Sequence, residues 1–150
     1  MNPCKQSILR IYMNREEQIL IESGIRPTAI RQLVLKEIIE YNRTFTLADM
    51  EKHMITLDRS TLFRTLMLFV EHKLLHEVDN GSGSKLFCRC ECEHKHHHTP
   101  HIHFTCVVCN ETYCIKDIDL ACIPHPEGYE VNEINIVMKG LCPKCRQKGL

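Results

Sequence analysis

The sequence predicts an α/β chain of the α+β type, a winged-helix domain followed by a small α/β domain closed by a four-cysteine zinc site. Three observations carry that expectation. Two Cys-x-x-Cys pairs, Cys106-Val107-Val108-Cys109 and Cys142-Pro143-Lys144-Cys145, stand in the back third of the chain. In the front half, two helical segments joined by a short turn precede a Gly- and Asn-rich hairpin signal. Between them, residues 91–100 show no apolar periodicity. The predicted division is therefore a winged helix over 1–90, a His/Cys-rich linker over 91–100 and a zinc-clamped module over 101–150.

Each Cys-x-x-Cys turn aims two thiolates at one point, and two such turns supply the four sulfurs of a closed tetrahedral zinc site. A redox disulfide is the competing reading of one pair, but two matched pairs favour metal. The gap between them exceeds what a minimal zinc ribbon needs, so the closed loop contains folded structure of its own. A chain of 150 residues holds one ordinary domain or two small ones, and small cores need a staple.

Composition narrows the class further. Ten cysteines and ten histidines occur without an N-terminal apolar signal region or an apolar run long enough to span a bilayer. The expected location is cytoplasmic, without membrane attachment, where thiols serve metal or redox chemistry and not a disulfide framework. Nineteen basic residues balance nineteen acidic ones, so composition alone carries no nucleic-acid signal of the usual basic kind.

In chain order, residues 5–22 place Ile8, Leu9, Ile11, Tyr12, Ile19, Leu20 and Ile21 among charges, which predicts an amphipathic helix ended by Gly24. From Pro27, suited to a first helical turn, Ile30, Leu33, Val34, Ile38 and Ile39 repeat at helical spacing as the inward face of a second helix. Thr46 offers an N-cap to a short helix with Leu47, Met50 and Met54 inward, and residues 56–58 form a turn. The helix from Arg59 then sets Leu62, Leu66, Phe69 and Val70 on one face and Thr61, Arg64 and Thr65 on another.

That pair is a helix-turn-helix. Strands over 74–79 and 85–90, joined by the Asp79-to-Ser84 turn, add a wing. A winged helix is a DNA-binding architecture whose second helix enters the major groove, which makes Thr61 and Arg64 candidate DNA contacts as against a merely solvated face. Beyond the linker, strands over 103–106 and 112–116 flank the first cysteine knuckle. A short helix over 117–122 and a β-rich run over 129–138 lead to the second.

The order winged helix, His-x-His-x-x-Cys-x-x-Cys, distal Cys-x-x-Cys resembles the ferric uptake regulator family of metal-responsive repressors over nearly the whole chain. The matching pieces are Gly24-Ile25-Arg26-Pro27-Thr28-Ala29-Ile30-Arg31, then Ser60-Thr61-Leu62-Phe63-Arg64-Thr65-Leu66, then His101 through Cys109. Where the family's recognition helix usually shows Tyr-Arg, this chain has Phe63-Arg64; the ring can still touch sugar or a thymine methyl, without the phenol's hydrogen bond. The resemblance implies a homodimer joined through the C-terminal domain and bound to a palindromic operator in double-stranded DNA, with Ser60, Thr61, Phe63 and Arg64 at the interface.

It also implies a regulatory metal between the two domains, held by His101 and His103, with Cys88 where many members place a carboxylate and His76 within reach as a further ligand. A thiolate beside imidazoles is softer than a carboxylate set, so zinc is the expected regulatory ion and the zinc-sensing branch the nearest; Fe²⁺ and Mn²⁺ remain the alternatives. Two departures from the family stand out. The histidine of iron-type members falls at about Thr44, and an extra site that many members carry has Pro100 and Ile102 at its ligand positions. Cys90, Cys92, His94, His96, His97 and His98 of the linker stay open as replacement ligands, while Cys4, Cys114 and Cys122 read as simple thiols, with Cys114 near enough to the knuckle to join a site.

Three other readings compete with this one. His125-Pro126-Glu127 with Cys142-x-x-Cys145 superficially matches a zinc deaminase signature. Yet Pro143 follows the first cysteine where that signature wants proline before it, and Cys106 and Cys109 would have no role, so the chain is not read as an enzyme. A cytosolic metal buffer using the His-rich tract predicts no sequence-selective DNA binding. A peroxide sensor, in which iron oxidises a histidine ligand, is disfavoured by Cys88, whose thiolate would itself be oxidised.

Overall fold

The computed structural model describes residues 14–41, 43–81, 83–89, 102–115, 123–124, 126–131 and 134–149. Helix α1 spans Arg15–Glu22, and it begins there because Asn14 is extended and its side chain accepts from the Glu17 amide at 2.7 Å. A helix continuous over 5–22 therefore does not form; its expected residues 5–13 lie outside the described residues. The helix closes in a Schellman motif, with Gly24 at φ 72°, Ile25 N–H bonded to Leu20 O and Gly24 N–H to Ile21 O. Leu20 and Ile25, brought together by that turn, are both buried.

Helix α2, Ala29–Tyr41, is capped by Thr28, whose hydroxyl accepts from the Arg31 amide at 3.3 Å, so Pro27 precedes the cap instead of occupying the first turn. Its buried face is Val34, Leu35 and Ile38, whereas Ile30 (41 % exposed) and Leu33 (49 % exposed), expected inward, point outward. Periodicity could not choose, because two overlapping helical stripes share Val34 and Ile38. Packing chose: Leu35 joins the cluster of Leu20, Leu62 and Phe69.

Strand β1, Phe45–Thr46, runs directly into helix α3, Leu47–His53, through a reciprocal capping box in which Thr46 Oγ1 accepts from Asp49 N and Asp49 Oδ2 from Thr46 N. Burial opposes ionisation of Asp49, but hydrogen bonds from the Thr46 amide and hydroxyl, with Lys52 nearby, outweigh it and hold its pKa below the ordinary value. A depressed folded-state pKa contributes stability above the unfolded carboxyl's pKa and loses it as pH falls through the folded value. Thr46→Ala is expected to lower stability by about 1 kcal/mol in urea unfolding at neutral pH, and that deficit should shrink below about pH 4.

Helix α4, Arg59–Glu71, starts at Asp58, which accepts from the Thr61 amide at 2.9 Å. Leu62, Leu66 and Phe69 are buried as expected, and Val70 is half-buried. Thr65 departs from the expected outward position: it is buried, its hydroxyl satisfied by Thr61 O at 2.8 Å. The wing is β2 (His76–Val78) against β3 (Leu86–Cys88), with β1 on the other edge of β3. Gly81 and Gly83 take positive φ in the turn between them.

The second sheet has the order β5-β4-β6. Strand β4 (Ile102–Cys106) pairs antiparallel with β5 (Thr112–Ile115) and parallel with β6 (Ile136–Gly140). The β-rich run expected over 129–138 is shorter and later, because β4 offers β6 only the register Ile102↔Ile136 to Cys106↔Gly140. The helix expected over 117–122 lies outside the described residues. Helix α5, Pro143–Gln147, ends the described chain with Pro at its start and Cys142 as N-cap. Among the described residues, no helix is long and apolar enough to cross a membrane.

Candidate metal centres

Parallel pairing decides where the cysteines meet. Strands β4 and β6 run the same way, so their C-terminal ends lie side by side and each leads straight into a Cys-x-x-Cys. Val107 N–H donates to Gly140 O at 2.8 Å and locks the two exits together. Gly140 has no room for a side chain without displacing Phe104, whose ring would lie 3.3 Å from an added Cβ. The first knuckle turns through Asn110 at φ 57°, and the ligand atoms of Cys106, Cys109, Cys142 and Cys145 all fall within 4.8 Å of one another. Four sulfurs at this spacing fit a closed zinc site.

The four thiols are not equivalent. Backbone N–H groups of Cys109 and Cys142 hold Cys106 down at about 6. The Cys145 amide lowers Cys142, and the Tyr113 hydroxyl, donating to the Cys142 sulfur, is itself raised well above its usual range. Burial, followed by hydrogen bonds with the neighbouring sulfurs, pushes Cys145 up to about 12. At neutral pH an arriving zinc ion must displace the Cys145 proton, so clamp affinity is expected to rise with pH. Chelator competition between roughly pH 6 and 8 checks this.

A second cluster lies between the two sheets. His76 and Cys88 are direct cross-strand partners on β2 and β3, so both side chains leave the same face of the wing. His103 on β4 faces them, its ring centroid 5.5 Å from that of His76. The ligand atoms of His76, Cys88 and His103 lie within 4.8 Å of one another. Cys88 and His103 are each 3 % exposed, and both His103 ring nitrogens are buried. Two imidazoles and a thiolate form a borderline-soft donor set that fits zinc better than a hard, oxygen-seeking ion.

His101 lies outside the described residues, as do Cys4, Cys122, His125 and the linker residues Cys90, Cys92, His94, His96, His97 and His98. The deaminase pairing also loses Cys142 and Cys145, which share their cluster with Cys106 and Cys109. Cys114, read from the sequence as a simple thiol near the knuckle, belongs to neither cluster. The β4–β5 register pairs it with His103 on the same face of the hairpin. Thr44, at the family's histidine position, is not a ligand; its hydroxyl donates to the Thr112 carbonyl. On α4, Ser60, Phe63 and Arg64 are exposed and Thr61 is half-buried.

Residues 22–139 match the model of the Ferric uptake regulator family. The chain belongs to this family. It is 28 % identical over 138 residues to the ferric uptake regulation protein of Synechococcus elongatus, covering 85 % of this chain and 90 % of that one. Among solved structures, the ferric uptake regulator from Pseudomonas aeruginosa with manganese superposes with a TM-score of 0.65 at 19 % identity, over 87 % of this chain and 99 % of the other. A zinc uptake regulator complexed with zinc and DNA gives 0.64 at 18 % identity, over 99 % of each chain. As a ferric uptake regulator family member, the protein is a metal-responsive regulator.

Proposed function

We propose that this family member is a zinc-responsive repressor that binds a palindromic operator as a homodimer when zinc bridges its two halves. One observation carries the reading: His76 and Cys88 from the wing converge with His103 from the second sheet on a single point, with sulfur in the donor set. An ion bound there fixes the angle between a winged helix over 1–90 and a module over 101–150. These three donors leave room for a fourth, and His101 is the further ligand that the family resemblance implies. Cys106, Cys109, Cys142 and Cys145 hold the separate structural zinc.

The dimer contact is assigned to the second sheet, where β6 is an edge strand among the described residues and exposes Met138. An edge of this kind is a template for pairing with a second copy. DNA contact is assigned to Ser60, Thr61, Phe63 and Arg64 on α4. Arg64→Ala is expected to weaken operator binding by roughly 1 to 3 kcal/mol with relaxed discrimination at one position if it reads a base. Contact with phosphate alone would instead lower affinity evenly and reduce the salt slope by about one.

The test of the whole reading is operator binding by protein that keeps its clamp zinc, titrated with Zn²⁺, Fe²⁺ and Mn²⁺. Zinc is expected to raise operator affinity at the lowest free concentration. A response to Fe²⁺ or Mn²⁺ with none to Zn²⁺ would move the chain to an iron or manganese reading, the first of which matches the Synechococcus relative's name. No operator binding under any metal would leave a metal buffer.

A further inference from the structure

One face of the β4–β5 hairpin presents His103, Thr105, Thr112 and Cys114 at alternate positions. The metal-type donors occupy one end of that face. At the other end the contact with the winged helix is made by protein alone. Thr44, just before β1, donates its hydroxyl to the Thr112 carbonyl at 2.7 Å. The Thr112 hydroxyl lies 3.0 Å from that of Thr105 and accepts from Asn80 Nδ2 at 3.5 Å, the outer limit for such a bond. All four side chains are buried.

Polar groups buried in this way are costly to leave unmade, so separating the halves must rehydrate them or strand them. The neighbouring Arg43–Glu111 pair, at 3.1 Å, spans the same boundary, but its side chains are 50 % and 40 % exposed and it contributes little. The specificity of the contact resides in the buried hydroxyls.

We propose that Thr44 and Thr112 are positioning residues of a metal-independent polar seam, which docks the winged helix on the β4–β5 hairpin and presents His76 and Cys88 to His103 before any ion arrives. Only the last clause rests on the proposed regulatory site. An ion that needs donors from both halves binds in proportion to the fraction of molecules already docked. Weakening the seam therefore lowers metal affinity and metal-free operator affinity together, while the zinc-saturated complex, held by the ion, keeps its operator affinity.

The experiment uses full-length protein with clamp zinc retained, and compares Thr44→Val, which removes the donor, Thr112→Val, which removes the shared hydroxyl, and Thr44→Ser, which keeps the donor. Hydrogen exchange in metal-free protein is expected to quicken for the amides of segments 43–46 and 79–81 in both Val variants, with α2 and α4 unchanged and Thr44→Ser like wild type. Regulatory zinc affinity should fall up to about fivefold, the weight of one net hydrogen bond. Wild-type exchange in both Val variants overturns the seam, and so does a uniform rise across α2 and α4, which would mark general destabilisation. Faster exchange confined to the two segments with unchanged zinc affinity supports the seam and removes the regulatory site from His76, Cys88 and His103.

Discussion

Cys142→Ser is expected to release the structural zinc and unfold the second half of the chain while the helical half keeps its fold. The reason is the poverty of the apolar core there. Among the described residues, that core cluster consists of Cys106, Cys142 and Cys145 with only Phe104 and Tyr113 packed against it. A structural zinc contributes on the order of 10 kcal/mol, comparable to the entire stability of a small domain. Losing one ligand removes most of that, and burial, which pushes the Cys145 thiol up, further opposes a three-thiolate site. By contrast the winged helix buries Phe45, Phe69 and Phe87 with several leucines around them, and it does not depend on the clamp. Zinc content, circular dichroism and operator binding measured together decide the matter: zinc and β-structure should be lost, helix largely retained, and operator binding abolished with the dimer. A folded, zinc-replete variant would falsify the assignment.

Much of this architecture was legible in the sequence where a local device sets it. The Thr46 cap, the Gly24 stop, the glycine turn of the wing and both cysteine knuckles each encode their geometry within a few residues, and each stands where it was expected. What was not legible depended on partners distant in sequence. Leu35, and not Leu33, faces inward because α2 packs on α1 and α4; β6 is short because β4 has five residues. Thr65 is buried because its hydroxyl can turn back on Thr61. The candidate regulatory cluster was legible only through the family resemblance, which pointed to His76, Cys88 and His103; that His76 and Cys88 are direct cross-strand partners follows from strand register. The threonine seam carries no motif at all, since nothing in residues 43–46 announces a hydrogen bond to Thr112, 68 positions away.

Cys88→Ser is expected to abolish most of the zinc effect on operator affinity without touching the clamp or the fold. Cys88 is buried on β3, paired with His76 and within 4.8 Å of the ligand atoms of both histidines, so its sulfur is the only thiolate of that three-residue cluster. Serine keeps the size class but supplies a neutral hydroxyl, a poor zinc ligand. Metal can change DNA affinity only by its own preference for the docked arrangement, typically about 1 to 3 kcal/mol, or roughly 5- to 150-fold. Losing the thiolate removes most of that preference, and the metal-free affinity, set by the protein's own contacts, should stay where it was. Cys88→Asp goes the other way chemically. A hard oxygen in place of sulfur should shift the response from Zn²⁺ towards Fe²⁺ or Mn²⁺. Operator affinity with and without each metal, for wild type and both variants, separates these outcomes. If Cys88→Ser still responds to zinc as the wild type does, the switch is held by other donors, and Cys90, Cys92 and the histidines of the 91–100 segment become the ligands to replace next.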